Sequence, residues 1–223
     1  LGKESDRISG RIGCLDTRNL PASLISTTGN HCVVWQTAGT GKPGLGYIVK
    51  KHRRRCSFAE ARSYSREYCL LKNALEEIVP NTVFVATQID GVQNVIAVAE
   101  AVNPWFNLAN PLNEEETVPL LGQLPIACSQ LRRFLEAADR WYHDGGGKVI
   151  DLYGLDNLVL ERNREVRYVD SFGVFFYEDM LDYVDDADDD LSHRLRVSQR
   201  RLEYLRDVLS AAQKLMSNSP GSQ

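Results

Sequence analysis

The chain has 223 residues, of which 43% are hydrophobic and 25% charged, with a formal net charge of −4. That balance supports a globular body of one large domain or two small lobes and argues against a general nucleic-acid-binding surface. Its five cysteines (Cys14, Cys32, Cys56, Cys69 and Cys128) are odd in number and contain no CxxC pair, which favours reduced thiols over a disulfide framework or a zinc site. No apolar run approaches a membrane span and no signal peptide is visible, so a cytoplasmic location is the expectation.

Residues 1–21 are polar and mixed in charge and read as a lead-in without periodicity. In 22–36, Leu24-Ile25 and Cys32-Val33-Val34-Trp35 flank the small-residue turn Ser26-Thr27-Thr28-Gly29-Asn30. This predicts strand, turn, strand. Hydroxyls and a glycine in such a turn can cap a phosphate, which marks Ser26, Thr28 and Gly29 as candidate ligand-binding residues; a plain hairpin turn is the equal alternative. Thr37–Gly46 resembles a P-loop only superficially, because Gln36 stands where the first glycine belongs and Pro43 follows Lys42.

Tyr47–Lys51 predicts a strand whose alternation puts Ile48 and Lys50 on one face and Val49 and Lys51 on the other. His52-Arg53-Arg54-Arg55 reads as a solvated basic loop, with an anionic substrate as the sharper alternative. Ser57-Phe58-Ala59-Glu60 is a capping box opening a helix to about Glu77, with Tyr64, Tyr68, Leu71 and Leu75 as its buried stripe. Glu67 falls within or beside that stripe, where a carboxylate needs a partner. Lys50 on the preceding strand is the candidate; Arg66 or solvent is the alternative.

Thr82–Gln88 and Asn94–Glu100 predict two strands joined at Asp90-Gly91. Asn103–Thr117, with prolines close by and three consecutive glutamates, reads as a crossing loop. A helix is expected over Leu124–His143, with a core face of Leu131, Phe134, Leu135, Ala138 and Trp141, ended by Gly145-Gly146-Gly147. The acidic run Asp179–Asp190 reads as a solvated loop and helix start. Val197–Met216 predicts an amphipathic helix with Leu202, Leu205, Val208, Leu209 and Ala212 inward, followed by a disordered tail over 217–223.

The stretch Lys148–Phe176 organises the rest. Leu158–Leu160 and Val166–Val169 flank a polar turn and predict a β-hairpin. Asp151 and Asn157 precede its first strand and Asp170 follows its second. Carboxylates and an amide at strand ends are hard-oxygen ligands suited to Mg²⁺ that also holds a phosphate, and Gly154 and Gly173 permit the backbone turns beside them.

These residues resemble the catalytic core of the protein-kinase-like superfamily. The resemblance covers about residues 22–177 and lies in the ordered set Lys50, Glu67, Asp151, Asn157 and Asp170. It implies an α+β, protein-kinase-like bilobal fold, with a small antiparallel-sheet N-lobe over 22–103 and a reduced, mostly helical C-lobe over 104–216. By this resemblance Asp151 is the catalytic-loop Asp and Lys50, held by Glu67 and with Lys51 as the fallback, orients the phosphates of ATP under a cover that includes Ile48. Asn157 and Asp170 hold Mg²⁺, Ser26, Thr28 and Gly29 form a thin glycine-loop equivalent, and Glu100-Ala101-Val102 is the hinge, so that Glu100 and Val102 contact the adenine. The loop from Asp151 to Asn157 is one residue longer than in the family, which leaves Asp156 as an alternative metal ligand; Val149-Ile150 replaces His-Arg, and Ser171 is inserted into D-F-G. The absence of an A-P-E motif and of a long activation segment makes the chain more similar to small bacterial kinase-like proteins, such as lipopolysaccharide-core sugar kinases and the YrbL-like proteins of the PhoP regulatory network. The implied function is ATP-dependent phosphotransfer to a hydroxyl of a sugar, glycolipid or small molecule in preference to a protein, with peripheral contact at a membrane glycolipid as one setting. The alternative is a pseudokinase that binds nucleotide or a partner without transfer.

Overall fold

The computed structural model describes residues 22–27, 31–37, 46–144, 146–178 and 189–218. The lead-in, Thr28 and Gly29, most of the P-loop-like segment, the acidic run up to Asp188 and the last five residues lie outside them. The described chain is α+β, with an antiparallel sheet in its N-terminal part and helices in its C-terminal part. It forms two compact units. The first takes the described residues up to Asn73, with Val79–Val102 and Asp170–Val174; the second takes Ala74–Ile78, Asn103–Val169 and the described residues from Phe175 onward.

The first unit is built on strands β1 (Ala22–Ser26), β2 (Cys32–Thr37), β3 (Tyr47–His52), β4 (Thr82–Ile89) and β5 (Val92–Glu100), in the order β1-β2-β3-β5-β4 and antiparallel throughout. The β4–β5 register is set by a two-residue turn in which Asp90 (φ 52°) and Gly91 (φ 79°) are both left-handed, the conformation that matches the twist of a tight hairpin. On β5, alternation buries Val95, Ala97 and Ala99 on one face.

Helix α1 (Phe58–Leu75) starts at the predicted capping box. Glu60 Oε2 accepts from the Ser57 amide (2.7 Å) and hydroxyl (2.6 Å), while the Glu60 amide donates back to Ser57 Oγ at 3.2 Å. Tyr68, Leu71 and Leu75 are buried and Tyr64 is half-buried. The Tyr68 hydroxyl donates to the Pro80 carbonyl (3.2 Å) and accepts from the Thr82 amide (3.0 Å), which fixes the entry to β4. The helix ends two residues before the expected Glu77, and Glu76–Ile78 form a 3₁₀ turn that belongs to the second unit.

In the second unit, β6 (Pro104–Asn107), β8 (Leu158–Glu161) and β9 (Val166–Tyr168) form one small sheet, and β7 (Lys148–Ile150) pairs with β10 (Phe175–Tyr177) in another. Helices α2 (Glu114–Gly122), α3 (Pro125–Asp144) and α4 (Asp189–Asn218) complete it. The predicted hairpin is present as β8–β9. Leu131, Phe134, Leu135 and Ala138 of α3 are buried and Trp141 is half-buried, its ring 5.0 Å from that of Phe175. All five residues expected inward on the last helix are buried.

Two expectations are corrected. Asn103–Thr117 is not a loop: it contains β6, a 3₁₀ turn at Pro111–Asn113 and the start of α2. The prolines suggested a break, but Pro111 opens a 3₁₀ turn, where its missing N–H costs nothing. Glu114, Glu115 and Glu116 complement the positive end of the α2 dipole. The last helix starts at Asp189, well before Val197, and takes in Ser217 and Asn218 of the expected tail. Asp190 and Arg194 pair one turn apart there, at 2.5 Å.

The capping box generates a stability prediction. Hydrogen bonds from the Ser57 hydroxyl and then the Ser57 amide hold the Glu60 carboxyl below its ordinary value. A depressed folded-state value means that this stabilisation is complete above the unfolded carboxylate pKa and is lost as pH falls through the lower, folded one. Ser57→Ala is expected to cost about 1 kcal/mol at neutral pH and to flatten the acid limb of stability. Urea unfolding of both proteins between pH 7 and pH 3 reads both effects; a wild-type acid limb in Ser57→Ala contradicts the capping account.

Candidate functional site

The first unit holds Lys50, Glu67 and Asp170. Lys50 lies on β3 opposite Val34 of β2 and Ala97 of β5, and only 9% of it is exposed. A lysine is seldom so deeply placed without a counter-charge or a ligand to meet it. Glu67 is half-buried on α1, with its Oε2 withdrawn from solvent. It neighbours Tyr64, whose hydroxyl is pushed up to about 12 by burial first, with the charges at Cys56, Glu60 and Glu67 adding to it.

Asp170 opens a tight turn. Its Oδ1 accepts from the Ser171 amide at 2.6 Å and the Phe172 amide at 3.4 Å, and Gly173 closes the turn at φ +62°. The turn is anchored by Phe172, which is fully buried and meets His52, Tyr64 and Phe84 edge-on at centroid distances of 5.4, 5.2 and 5.9 Å. Such edge-to-face pairs add to simple burial. Ser171 thus lies between the aspartate and its aromatic anchor. Asp170 and Lys50 both act on the Cys32 thiol, which burial pushes up, Lys50 pulls down and Asp170 raises, with Arg53 a further lowering charge.

The remaining candidates of this unit are mixed. Ser26 ends β1, while Thr28 and Gly29 lie outside the described residues. Ile48 is half-buried on β3, two residues before Lys50. The Glu100 side chain has a local duty: its carboxylate takes the Asn81 side-chain amide at 2.9 Å and the Asn81 backbone amide at 3.3 Å. Of the segment 100–102, the Glu100 amide donates to the Asn81 carbonyl at 2.9 Å and the Ala101 amide to the Gly46 carbonyl at 3.0 Å.

The second unit holds Asp151, Asp156 and Asn157. Asp151 leaves β7 with 5% exposure, and its Oδ1 accepts from the Tyr153 amide at 2.7 Å. Its carbonyl accepts twice, from Asn157 Nδ2 at 3.1 Å and from the Tyr168 hydroxyl at 3.0 Å. With Nδ2 given to that carbonyl, Asn157 Oδ1 occupies the space beside Gly154. A methyl group at 154 would come within 2.5 Å of Asn157 Oδ1 and 3.2 Å of Asp156 Oδ1. Gly154 is therefore required by close approach. Asp156 is exposed, and among the described residues no hydrogen bond or ion pair orients its carboxylate.

Residues that sequence reasoning missed hold this loop from behind. Ser198 on α4 is fully buried and accepts the Leu152 amide at 3.0 Å. Arg201, one turn further on, donates through Nη1 to the carbonyls of Leu152 and Tyr153. Burial pulls the Arg201 guanidinium down, while the charges at Asp151 and Tyr153 push it back up. No local signal marks Ser198 or Arg201, because the helix pattern identifies only its apolar stripe.

Among the described residues no group of three or more His, Cys, Asp or Glu side chains is gathered for a metal. No family model matches the chain, and no curated protein matches it significantly. No helix among the described residues is long and apolar enough to cross a membrane, and Cys32, Cys56, Cys69 and Cys128 are free thiols.

Ser198→Ala strands the buried Leu152 amide and is expected to cost about 1–3 kcal/mol, with faster hydrogen exchange across Asp151–Asn157. Denaturant unfolding combined with exchange mass spectrometry checks both; unchanged exchange in that loop contradicts the anchoring role.

Proposed function

We propose that the protein binds Mg·ATP and transfers the γ-phosphate to a hydroxyl acceptor in the manner of the kinase-like proteins it resembles. The observation that carries this reading is the Asp151–Asn157 loop: an amide pinned by its nitrogen to the Asp151 carbonyl, its oxygen set over an obligatory glycine, four residues of chain away from a buried carboxylate's own capped turn. The Lys50–Asp170 neighbourhood of the first unit supplies the charges such a reaction needs.

In this reading Lys50, held by Glu67, orients the phosphates, and Asn157 and Asp170 are the metal ligands, Asn157 in preference to Asp156. Glu100 and Val102 offer backbone groups to the base. Bound Mg²⁺ supplies neutralisation of the phosphate oxygens. Asp151 accepts the hydroxyl proton as the acceptor oxygen bonds to the γ-phosphorus and the bond to the β-phosphate oxygen breaks, leaving ADP. Positioning and charge neutralisation do most of the catalysis, with no covalent enzyme intermediate.

A second reading, nucleotide binding without transfer, is favoured by Asp151 itself, whose Oδ1 is engaged by the Tyr153 amide and which has Arg201 as a charged neighbour. Both features engage the carboxylate that the transfer reading needs as proton acceptor.

Two substitutions separate these readings. Asp170→Ala is expected to abolish the thermal shift produced by Mg·ATP over ATP with EDTA. Asp151→Ala is expected to keep that shift and to lower phosphate transfer to sugars, glycolipids or small alcohols about 10²–10⁴-fold. Equal Mg·ATP affinity in wild type and Asp170→Ala overturns the metal assignment; a wild type that binds Mg·ATP but transfers to no acceptor supports the second reading.

A further inference from the structure

Tyr153 has no part in the mechanism above, yet both its backbone and its ring are held. Its amide donates to Asp151 Oδ1 at 2.7 Å, and its carbonyl accepts from Arg201 Nη1. The ring meets the first turns of α4. There the Arg194 guanidinium carbon lies over it, 5.5 Å from the centroid, and the His193 imidazole stands edge-on to it at 5.9 Å and 79°. A cation over an aromatic face is attractive, so the ring is fixed from one face and from one edge.

Holding the ring this way has a cost. Arg194 gives Nη2 to Asp190, but its Nε is buried with no hydrogen-bond partner among the described residues. A buried donor left unmatched is destabilising. Local rules broken in this way concentrate where function, and not the core, sets the geometry.

The hydroxyl is the part of Tyr153 that the fold leaves unused. Tyr153 is half-buried, and its Oη reaches solvent without a hydrogen-bond partner among the described residues. Four other tyrosines spend theirs inside the protein. Tyr64 meets His52 Nε2 at 3.4 Å, Tyr68 the Pro80 carbonyl at 3.2 Å, Tyr168 the Asp151 carbonyl at 3.0 Å and Tyr204 the Thr117 hydroxyl at 3.4 Å. A side chain with backbone and ring tied and its polar atom open has lost its ordering entropy before a ligand arrives. It presents an apolar ring beside a hydroxyl that both donates and accepts. The group that suits it is a carbon skeleton carrying a second hydroxyl besides the one that reacts.

We propose that Tyr153 selects the acceptor: its hydroxyl binds a second hydroxyl of a polyhydroxylated molecule whose first hydroxyl is presented to Asp151. The inference rests on the phosphotransfer reading and deepens it, since it sets a polyol above a monohydric alcohol.

The test is ligand-observed NMR binding in the presence of Mg·ADP, followed by phosphate transfer from Mg·ATP, for wild type, Tyr153→Phe and Tyr153→Ala. Glucose, myo-inositol and glycerol are the polyol probes and cyclohexanol is the monohydric comparison. Apo melting temperatures check folding, and Tyr153→Phe, which keeps the ring, decides alone if Tyr153→Ala unfolds. Tyr153→Phe is expected to weaken the best-bound polyol about three- to tenfold, cyclohexanol by less than about twofold, and Mg·ATP not at all. Tyr153→Ala is expected to weaken both kinds of alcohol, because the ring is lost as well. Unchanged polyol binding in Tyr153→Phe, an equal loss for cyclohexanol, a parallel loss of Mg·ATP affinity, or a wild type that binds no polyol overturns the assignment and leaves nucleotide binding to its own test. A wild type that binds polyol through Tyr153 but transfers no phosphate upholds the assignment of the residue and overturns the phosphotransfer reading.

Discussion

The carbonyl oxygen of Asp151 accepts two hydrogen bonds, from the Asn157 side chain and from the Tyr168 hydroxyl. The first bond fixes the orientation of the Asn157 amide, with its Oδ1 beside Gly154. The second ties the loop to the far strand of the β8–β9 hairpin, since Tyr168 is fully buried and stacks near Phe134 of α3 at 6.0 Å. Three residues of loop backbone are thus held from three sides: by the hairpin, by Asn157 and by α4 through Ser198 and Arg201. Satisfying buried backbone groups with side chains is the cost of placing an irregular loop inside a core. The same satisfaction makes the loop rigid enough to hold a carboxylate and an amide in fixed relation.

In the first unit the corresponding constraint is aromatic. Phe172 meets three rings, from the end of β3, from α1 and from β4. Because Asp170 is two residues before it in a turn closed by its own carboxylate, the position of that carboxylate is inherited from the packing of Phe172. The residue inserted between them is absorbed locally by the amide of Ser171, which donates to Asp170. The segment combines an acidic turn with a buried ring.

The first unit carries Lys50 and Asp170; the second carries Asp151 and Asn157 on a loop backed by Arg201. The chain passes from the second unit back to the first between Val169 and Asp170, so one short segment contributes to both.

Several features were legible in the residues alone. The Ser57–Glu60 capping box, the Asp90-Gly91 turn, the alternation of β3 and β5 and the apolar stripes of α1, α3 and α4 all depend on interactions over a few residues, and short-range turn chemistry and periodicity report such interactions directly. The spacing of Asp151, Asn157 and Asp170 around a hairpin was equally readable. Helix α2 and strand β6 were not, because the prolines that signal a break locally are tolerated at a helix start and on a sheet edge. Nor were Ser198 and Arg201, which reach loop groups 46 to 49 residues away in the chain, or the Asn94 amide that holds the carbonyls of His52 and Arg54 from about 40 residues away. Those contacts exist only once the helices and strands have been brought together, since a hydrogen bond between distant residues leaves no period in the sequence that encodes it.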